Sequence, residues 1–421
     1  MILGAIADDL TGATDLSLIL SRNGMRVVQV IGVPDTLDAV AQDADAVVIA
    51  LKSRTNPAAE AIEMSLAAAR ALQAAGAKQL FFKYCSTFDS TDEGNIGPVT
   101  AALMEHLGTD ATIACPSFPE NGRTVYKGHL FVFDQLISDS PMKDHPLTPM
   151  RDPSLVSVLS RQTTRPVRLV AHETVRRGAA AIESAIAQDP GICIVDAISD
   201  EDLRAIGRAV ADLPLVTGGS AVAMGLPDVY REKGWITPAA PGEGFAAPEG
   251  RGVILAGSCS AMTRRQIAAA ETAGVNMLRL DALEIASGAT TPEAVVAFVE
   301  EASQRSDLPP LVYSSADPAI VAQAQDKLGR MRAGEIVEEL LASVAASLAA
   351  RGFTRFISAG GETSGAVVAA LGTSALRIGP EIAPGVPWVS ALDADRPLCL
   401  ALKSGNFGGE DFFLKAWEML A

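Results

Sequence analysis

Short runs of β-branched and aliphatic residues alternate along the chain with longer Ala- and Leu-rich stretches whose apolar positions recur at helical spacing. That alternation predicts βα units assembled on mainly parallel sheets. In the first half the strand-like runs are residues 2–7, 26–31, 46–51, 79–84, 111–115, 167–170, 192–195 and 215–217. Helical stretches follow most of them, the first running to about Arg22 with Thr11 or Gly12 as its expected cap. Residues 123–137 differ, because Lys127-Gly128 sits between two strand-like arms and predicts a β-hairpin insertion. In the second half, strands are expected at 252–256, 276–280, 311–314, 355–358, 375–378 and 398–402, with long helices over 261–273, 333–350, 364–371 and 410–420.

Both periodicities vanish over 238–250, where Pro and Gly dominate. This stretch reads as a linker between a domain of residues 1–237 and another of 251–421. The expected fold class is therefore α/β, two domains, each a mainly parallel sheet flanked by helices. Composition agrees: 421 residues exceed the usual single-domain length, and 48% hydrophobic against 20% charged residues is too apolar for disorder.

The formal charge of −16 excludes a nucleic-acid partner, since phosphate backbones are held by clustered Lys and Arg. A small anion remains admissible in a locally cationic cleft. The apolar start reaches Asp8 and Asp9 with no basic residue before it, and no later run approaches the ~18 residues of a membrane span, so a cytoplasmic protein is expected. Oligomeric state is left open, a homo-oligomer included. Five scattered cysteines and four histidines show neither a C-x-x-C pair nor an H-x-x-x-H spacing, which removes the support for a disulfide frame or a transition-metal site.

In open parallel sheets ligands bind outside the carboxyl ends of the strands, and the loops there are polar. Ala7-Asp8-Asp9-Leu10-Thr11-Gly12-Ala13-Thr14-Asp15 follows the first strand, and two adjacent carboxylates exceed what helix capping requires. Arg54 follows the third strand, and Lys83 ends the fourth ahead of Ser86, Thr87, Asp89 and Ser90. Cations for a carboxylate and acceptors for hydroxyls point to a polyhydroxylated acid. In the second half, three strand–loop–helix junctions are glycine-rich: Ala256-Gly257-Ser258-Cys259-Ser260, Ala359-Gly360-Gly361-Glu362-Thr363-Ser364-Gly365, and Lys403-Ser404-Gly405-Asn406-Phe407-Gly408-Gly409. Such junctions let backbone N–H groups approach phosphates at helix N-termini, although none is a Walker A loop or a G-x-G-x-x-G fingerprint. A hydroxy-acid site and a phosphate site on separate halves suggest a bilobal kinase requiring Mg²⁺ with its nucleotide.

Six segments together resemble the four-carbon acid sugar kinases: Ala7-Asp8-Asp9-Leu10-Thr11-Gly12-Ala13, the Lys83–Ser90 run, Gly122–Val132, His145-Pro146-Leu147-Thr148-Pro149-Met150, Gly360–Ser364 and Lys403–Gly408. The resemblance spans nearly the whole chain. It implies an N-terminal sugar-acid domain, a C-terminal ATP domain, and phosphorylation of the C4 hydroxyl of a four-carbon 3-oxo acid, with threonate or erythronate as alternative substrates. Carried over by residue, it places ATP on Ser258, Gly360, Gly361, Glu362, Thr363 and Gly405, to which the loop residues Lys403 and Asn406 are added. Asp8, Asp9, Arg54 and Lys83 would face the acid; the strand-end reading adds Ser86, Thr87, Asp89 and Ser90 and takes Asp8 as proton acceptor, a role the likeness does not assign. Metal ligands are not assigned. A haloacid-dehalogenase-type phosphatase is disfavoured because Asp-x-Asp-x-Thr anchored on Thr11 would need its nucleophile where Ala7 stands. A non-catalytic sensor of acid and nucleotide is the remaining rival.

Overall fold

The computed structural model describes residues 1–144, 148–314 and 326–420, so His145, Pro146 and Leu147 of the fourth motif lie outside the described residues. The chain divides into two compact units, Met1–Pro241 and Gly242–Ala421.

The first unit is built on β1 (Leu3–Ala7), β2 (Val27–Ile31), β3 (Ala46–Ala50), β4 (Gln79–Lys83), β5 (Ala111–Cys115), β9 (Val167–Val170), β10 (Gly191–Val195) and β11 (Leu215–Gly218), with β6 (Arg123–Tyr126), β7 (His129–Val132) and β8 (Gln135–Leu136) forming a separate small sheet. The main strands run in the order β2-β3-β1-β4-β11-β5-β10-β9 and every pairing is parallel. Leu-Gly-Ala-Ile-Ala of β1 is buried at every position, as a central parallel strand covered on both faces must be. Its register sets Ala7 opposite Ala50 and Lys83, which brings the loops after β1, β3 and β4 to one edge. The hairpin forms as expected, with Lys127 and Gly128 both at positive φ (51° and 72°), the backbone of a two-residue I′ turn. Asp196 anchors that turn from the end of β10, accepting from the N–H groups of Lys127 (2.7 Å), Gly128 (2.8 Å) and His172 (3.0 Å).

The second unit carries β12 (Arg251–Ala256), β13 (Met277–Arg279), β14 (Leu311–Tyr313), β15 (Phe353–Ala359), β16 (Ala375–Ala383), β17 (Val386–Ala391) and β18 (Cys399–Lys403). Strands β13-β14-β12-β15-β18 are parallel, and β17 and β16 extend them antiparallel. Strand β17 escapes sequence reading because Pro387 interrupts it; the proline pairs with Glu381 where the register shifts, a place in a ladder that tolerates a missing N–H. The terminal helix expected over 410–420 is instead Phe412–Lys415 followed by a 3₁₀ turn, Ala416–Leu420. The buried indole N–H of Trp388 takes the Ala416 carbonyl at 2.8 Å, diverting an acceptor that a continuing α-helix would use.

Candidate functional site

At the carboxyl edge of the first sheet, Asp9 rather than Thr11 or Gly12 caps the helix Leu10–Arg22, accepting the Gly12 N–H at 2.7 Å. A cap of this kind contributes about 1 kcal/mol. Arg54 lies across both acidic residues: Nε and Nη2 each donate to Asp8 at 2.8 Å, Nη2 also reaches Asp9 at 2.8 Å, and Nη1 stands 3.9 Å from Asp89. Adjacent residues at a strand end are expected to point apart, yet both meet one guanidinium, because Asp9 has already turned into the helix cap. Burial would lower the Arg54 pKa, but the charges of Asp8 and Asp9 override it and hold the group well above its ordinary value. Burial raises Asp9, with Asp8 adding to the rise, against the pull of Arg54 and Lys83.

The turn bearing Arg54 is held from two sides. The N–H groups of Ser53 and Arg54 donate to the Asp8 carbonyl at 3.0 and 3.2 Å. Asn95 Nδ2 donates to the carbonyls of Ser53, Arg54 and Asn56 at 2.8, 3.2 and 3.1 Å. Lys83 is buried, with Nζ on the Tyr84 carbonyl at 2.8 Å. Thr87 donates to Asp89 at 2.6 Å and meets Cys85 at 2.8 Å. Ser90 accepts from Gln162 Nε2 at 2.8 Å, a contact that ties it to the loop scaffold, and Ser86 is half-buried.

Three residues of this edge were given no role by sequence: Asp15, Ser220 and Asn95. Asp15 sits in the second turn of Leu10–Arg22 and accepts from Ser220 Oγ; burial raises its pKa, against Lys83. Their signals were an acid within the first helix and the Gly218-Gly219-Ser220 turn after β11. Asn95 carried no signal, since its role depends on a loop 39 to 42 residues away.

In the second unit the three glycine junctions meet. The N–H groups of Gly257 and Ser258 donate to the Ala359 carbonyl at 3.0 Å, and Gly360 N–H to the Lys403 carbonyl at 2.9 Å. Gly360 has φ 129° and precedes the helix Gly361–Ala370, a conformation that side chains strain. Gly361 and Glu362 are exposed on its first turn, and Thr363 is buried beneath it. Ser258 Oγ accepts the Ser260 N–H at 3.2 Å, and a Cβ at Gly405 would stand only 2.4 Å from it. Asn406 is exposed. Lys403 is not: its ammonium is buried on the Gly405 carbonyl at 3.1 Å and Thr263 Oγ1 at 3.4 Å.

Residues 3–226 match the model of a sugar-binding N-terminal domain, and residues 253–413 that of a nucleotide-binding C-terminal domain. A 3-oxo-tetronate kinase of Cupriavidus necator is 53% identical over 100% of this chain and 97% of its own, and one of Burkholderia multivorans is 51% identical with the same coverage. The chain belongs to the four-carbon acid sugar kinase family. Solved structures share the fold: one of a Salmonella typhimurium LT2 protein superposes with a TM-score of 0.91 at 43% identity over 100% of this chain and 99% of its own, and one from Haemophilus influenzae with 0.85 at 42% over 99% and 100%. The carboxylate and Arg54 edge falls within the sugar-binding match, and all three glycine junctions fall within the nucleotide-binding match.

Proposed function

We propose that this kinase transfers the γ-phosphoryl group of ATP to the C4 hydroxyl of 3-oxo-tetronate, a four-carbon 3-oxo acid. The observation that carries the reading is identity of about half the residues, along the full chain, with proteins of that activity. Site chemistry supports it. Phosphoryl transfer depends on positioning and on neutralising phosphate charge, and the chain offers carboxylates held by Arg54 as acceptors for hydroxyls in one unit and converging glycine backbones in the other.

Asp8, Asp9, Arg54, Thr87 and Asp89 are assigned to the acid, and Lys83, buried on the Tyr84 carbonyl, to holding that edge in place. Each Asp8 oxygen accepts one bond from Arg54 and has a second lone pair, so Asp8 can receive the C4 hydroxyl and its proton while Arg54 holds the carboxylate still. Ser258, Gly360, Gly361, Thr363, Gly405 and Asn406 are assigned to the nucleotide. Among the described residues no cluster of three or more His, Cys, Asp or Glu is arranged around a metal. This suits Mg²⁺ arriving with ATP, since the ion keeps its waters and binds chiefly to substrate phosphates, with Glu362 the sole carboxylate in the three junctions. When bound, the ion would neutralise charge on the β- and γ-phosphates.

No helix among the described residues is long and apolar enough to cross a membrane, and we assign the enzyme to the cytoplasm. ADP formation assayed with 3-oxo-tetronate, threonate and erythronate, with and without EDTA, tests the assignment. Highest kcat/KM on the 3-oxo acid and loss of turnover on chelation are expected. Preference for threonate or erythronate would reassign the substrate, and inertness toward all three would sink the kinase reading.

A further inference from the structure

Gly405 occupies the second position of a turn closed by the Phe407 N–H on the Ser404 carbonyl at 3.1 Å. Its carbonyl oxygen points into the protein, where three donors converge on it: Ser260 Oγ at 2.7 Å, Thr263 Oγ1 at 3.0 Å and Lys403 Nζ at 3.1 Å. No cis peptide is present among the described residues, so the C=O of Gly405 and the N–H of Asn406 lie on opposite sides of one planar unit. Drawing the carbonyl inward therefore turns the Asn406 N–H outward, on a residue that is itself exposed.

Lys403 is an unusual donor for this task. The residue is 1% exposed, its Nζ lies about equally far from the rings of Phe412 and Phe413 (6.0 and 5.9 Å), and no ion pair to a carboxylate is formed among the described residues. A buried ammonium with only neutral partners is costly unless something nearby uses its charge. The carbonyl it grips transmits that charge: a cation on the oxygen polarises the peptide and makes the N–H on the far side a stronger donor.

We propose that Lys403 is a positioning residue for the nucleotide, acting through the Gly405–Asn406 peptide rather than by touching phosphate. It fixes the carbonyl inward and so presents a strengthened Asn406 N–H to a phosphate oxygen. Sequence alone suggests the opposite, a lysine in a glycine-rich loop reaching for phosphate directly; burial of its ammonium on a backbone oxygen argues against that. The inference rests on the nucleotide-binding reading of this unit, and it is tested by ADP binding, which needs no turnover and no correct acid.

Lys403→Met keeps the length of the stem and removes the charge. Calorimetry with Mg-ADP should show the Kd raised about tenfold, the loss of one charge-assisted contact, while the KM of the acid stays within about twofold. Thr263→Val loosens the same carbonyl, so the effect of Lys403→Met should shrink to about threefold or less in that background. Lys403→Gln, which can still donate to the carbonyl, should recover part of the affinity, and it replaces the Met variant if that chain fails to fold. An unchanged ADP Kd in both Lys403 variants overturns the proposal. So does a full, multiplicative effect in the Thr263→Val background, which would mean direct contact with phosphate, and so does a parallel loss of acid affinity.

Discussion

Arg54 and Asp8 form a fork that a point charge cannot replace, because two parallel N–H groups meet two oxygens at 2.8 Å. In Arg54→Lys the remaining ammonium can serve one oxygen at a time, and charged hydrogen bonds are worth about 1.5–3 kcal/mol, so kcat/KM for the acid should fall by about 10- to 100-fold. The KM of ATP should stay put; initial rates with each substrate varied in turn check both. Asp8→Asn keeps the volume and removes the proton acceptor, and a kcat lower by about 10²- to 10⁴-fold is expected. A loss confined to KM would reduce Asp8 to holding Arg54. Asp15→Asn, one carboxylate further along the same edge, gives the comparison. On the nucleotide side, Gly361 is the clean position: a Cβ there meets nothing within 4 Å, whereas one at Gly405 collides with Ser258. Gly361→Val should fold normally and raise the KM of ATP well above that of the acid, and unchanged ATP kinetics would remove this helix start from the site.

At the scale of elements, loops are aimed by distant buried amides. Asn95 precedes the helix Ile96–Leu107 and holds three carbonyls of the Ser53–Asn56 turn, and Gln266, within Ala261–Thr272, donates to the carbonyls of Phe407 and Gly409 at 3.0 and 2.9 Å. Asn95→Asp replaces a donor with an acceptor facing three acceptors, an unpaired buried arrangement costing about 1–3 kcal/mol. Lower thermal stability together with weaker acid kinetics is expected, and Asn95→Ser, which retains a donor, should recover part of both. An Asn95→Asp enzyme with wild-type acid kinetics would detach the clamp from the site. The βα strands were legible from hydrophobic runs alone, and so was the hairpin, from Lys127-Gly128. The cap at Asp9, strand β17 and the broken terminal helix were not. The strand and the broken helix depend on partners elsewhere, Glu381 opposite Pro387 and Trp388 beneath Ala416, whereas the cap is a local choice among Asp9, Thr11 and Gly12 that the Gly12 N–H decides.

For the whole molecule, Lys403 couples the site to stability. Burial pushes its pKa down from 10.5 to about 8. The unfolded chain therefore binds more protons than the native one between these values, and this residue's contribution makes stability rise as pH climbs from about 8 toward 10.5, with the penalty present in full below that range. Lys403→Met removes the penalty, so its stability advantage over the wild type, read from urea unfolding, should be largest near neutrality and shrink by about pH 10. An advantage independent of pH would show that the ammonium is not desolvated. The sequence by itself determined the α/β class, the Pro- and Gly-rich stretch where both periodicities lapse, the acidic balance of charge, and the two sets of polar or glycine-rich strand-end loops. These rest on periodicity, composition and local turn chemistry, which neighbouring residues settle among themselves. Only the tertiary structure decided what each polar side chain does there: Asp8 and Asp9 on one guanidinium, Ser90 on Gln162, and Lys403 turned inward onto Gly405. A strand end carries a polar residue to the right edge, but its partner comes from a loop brought alongside by parallel pairing, and burial then sets whether a charge meets ligand or protein.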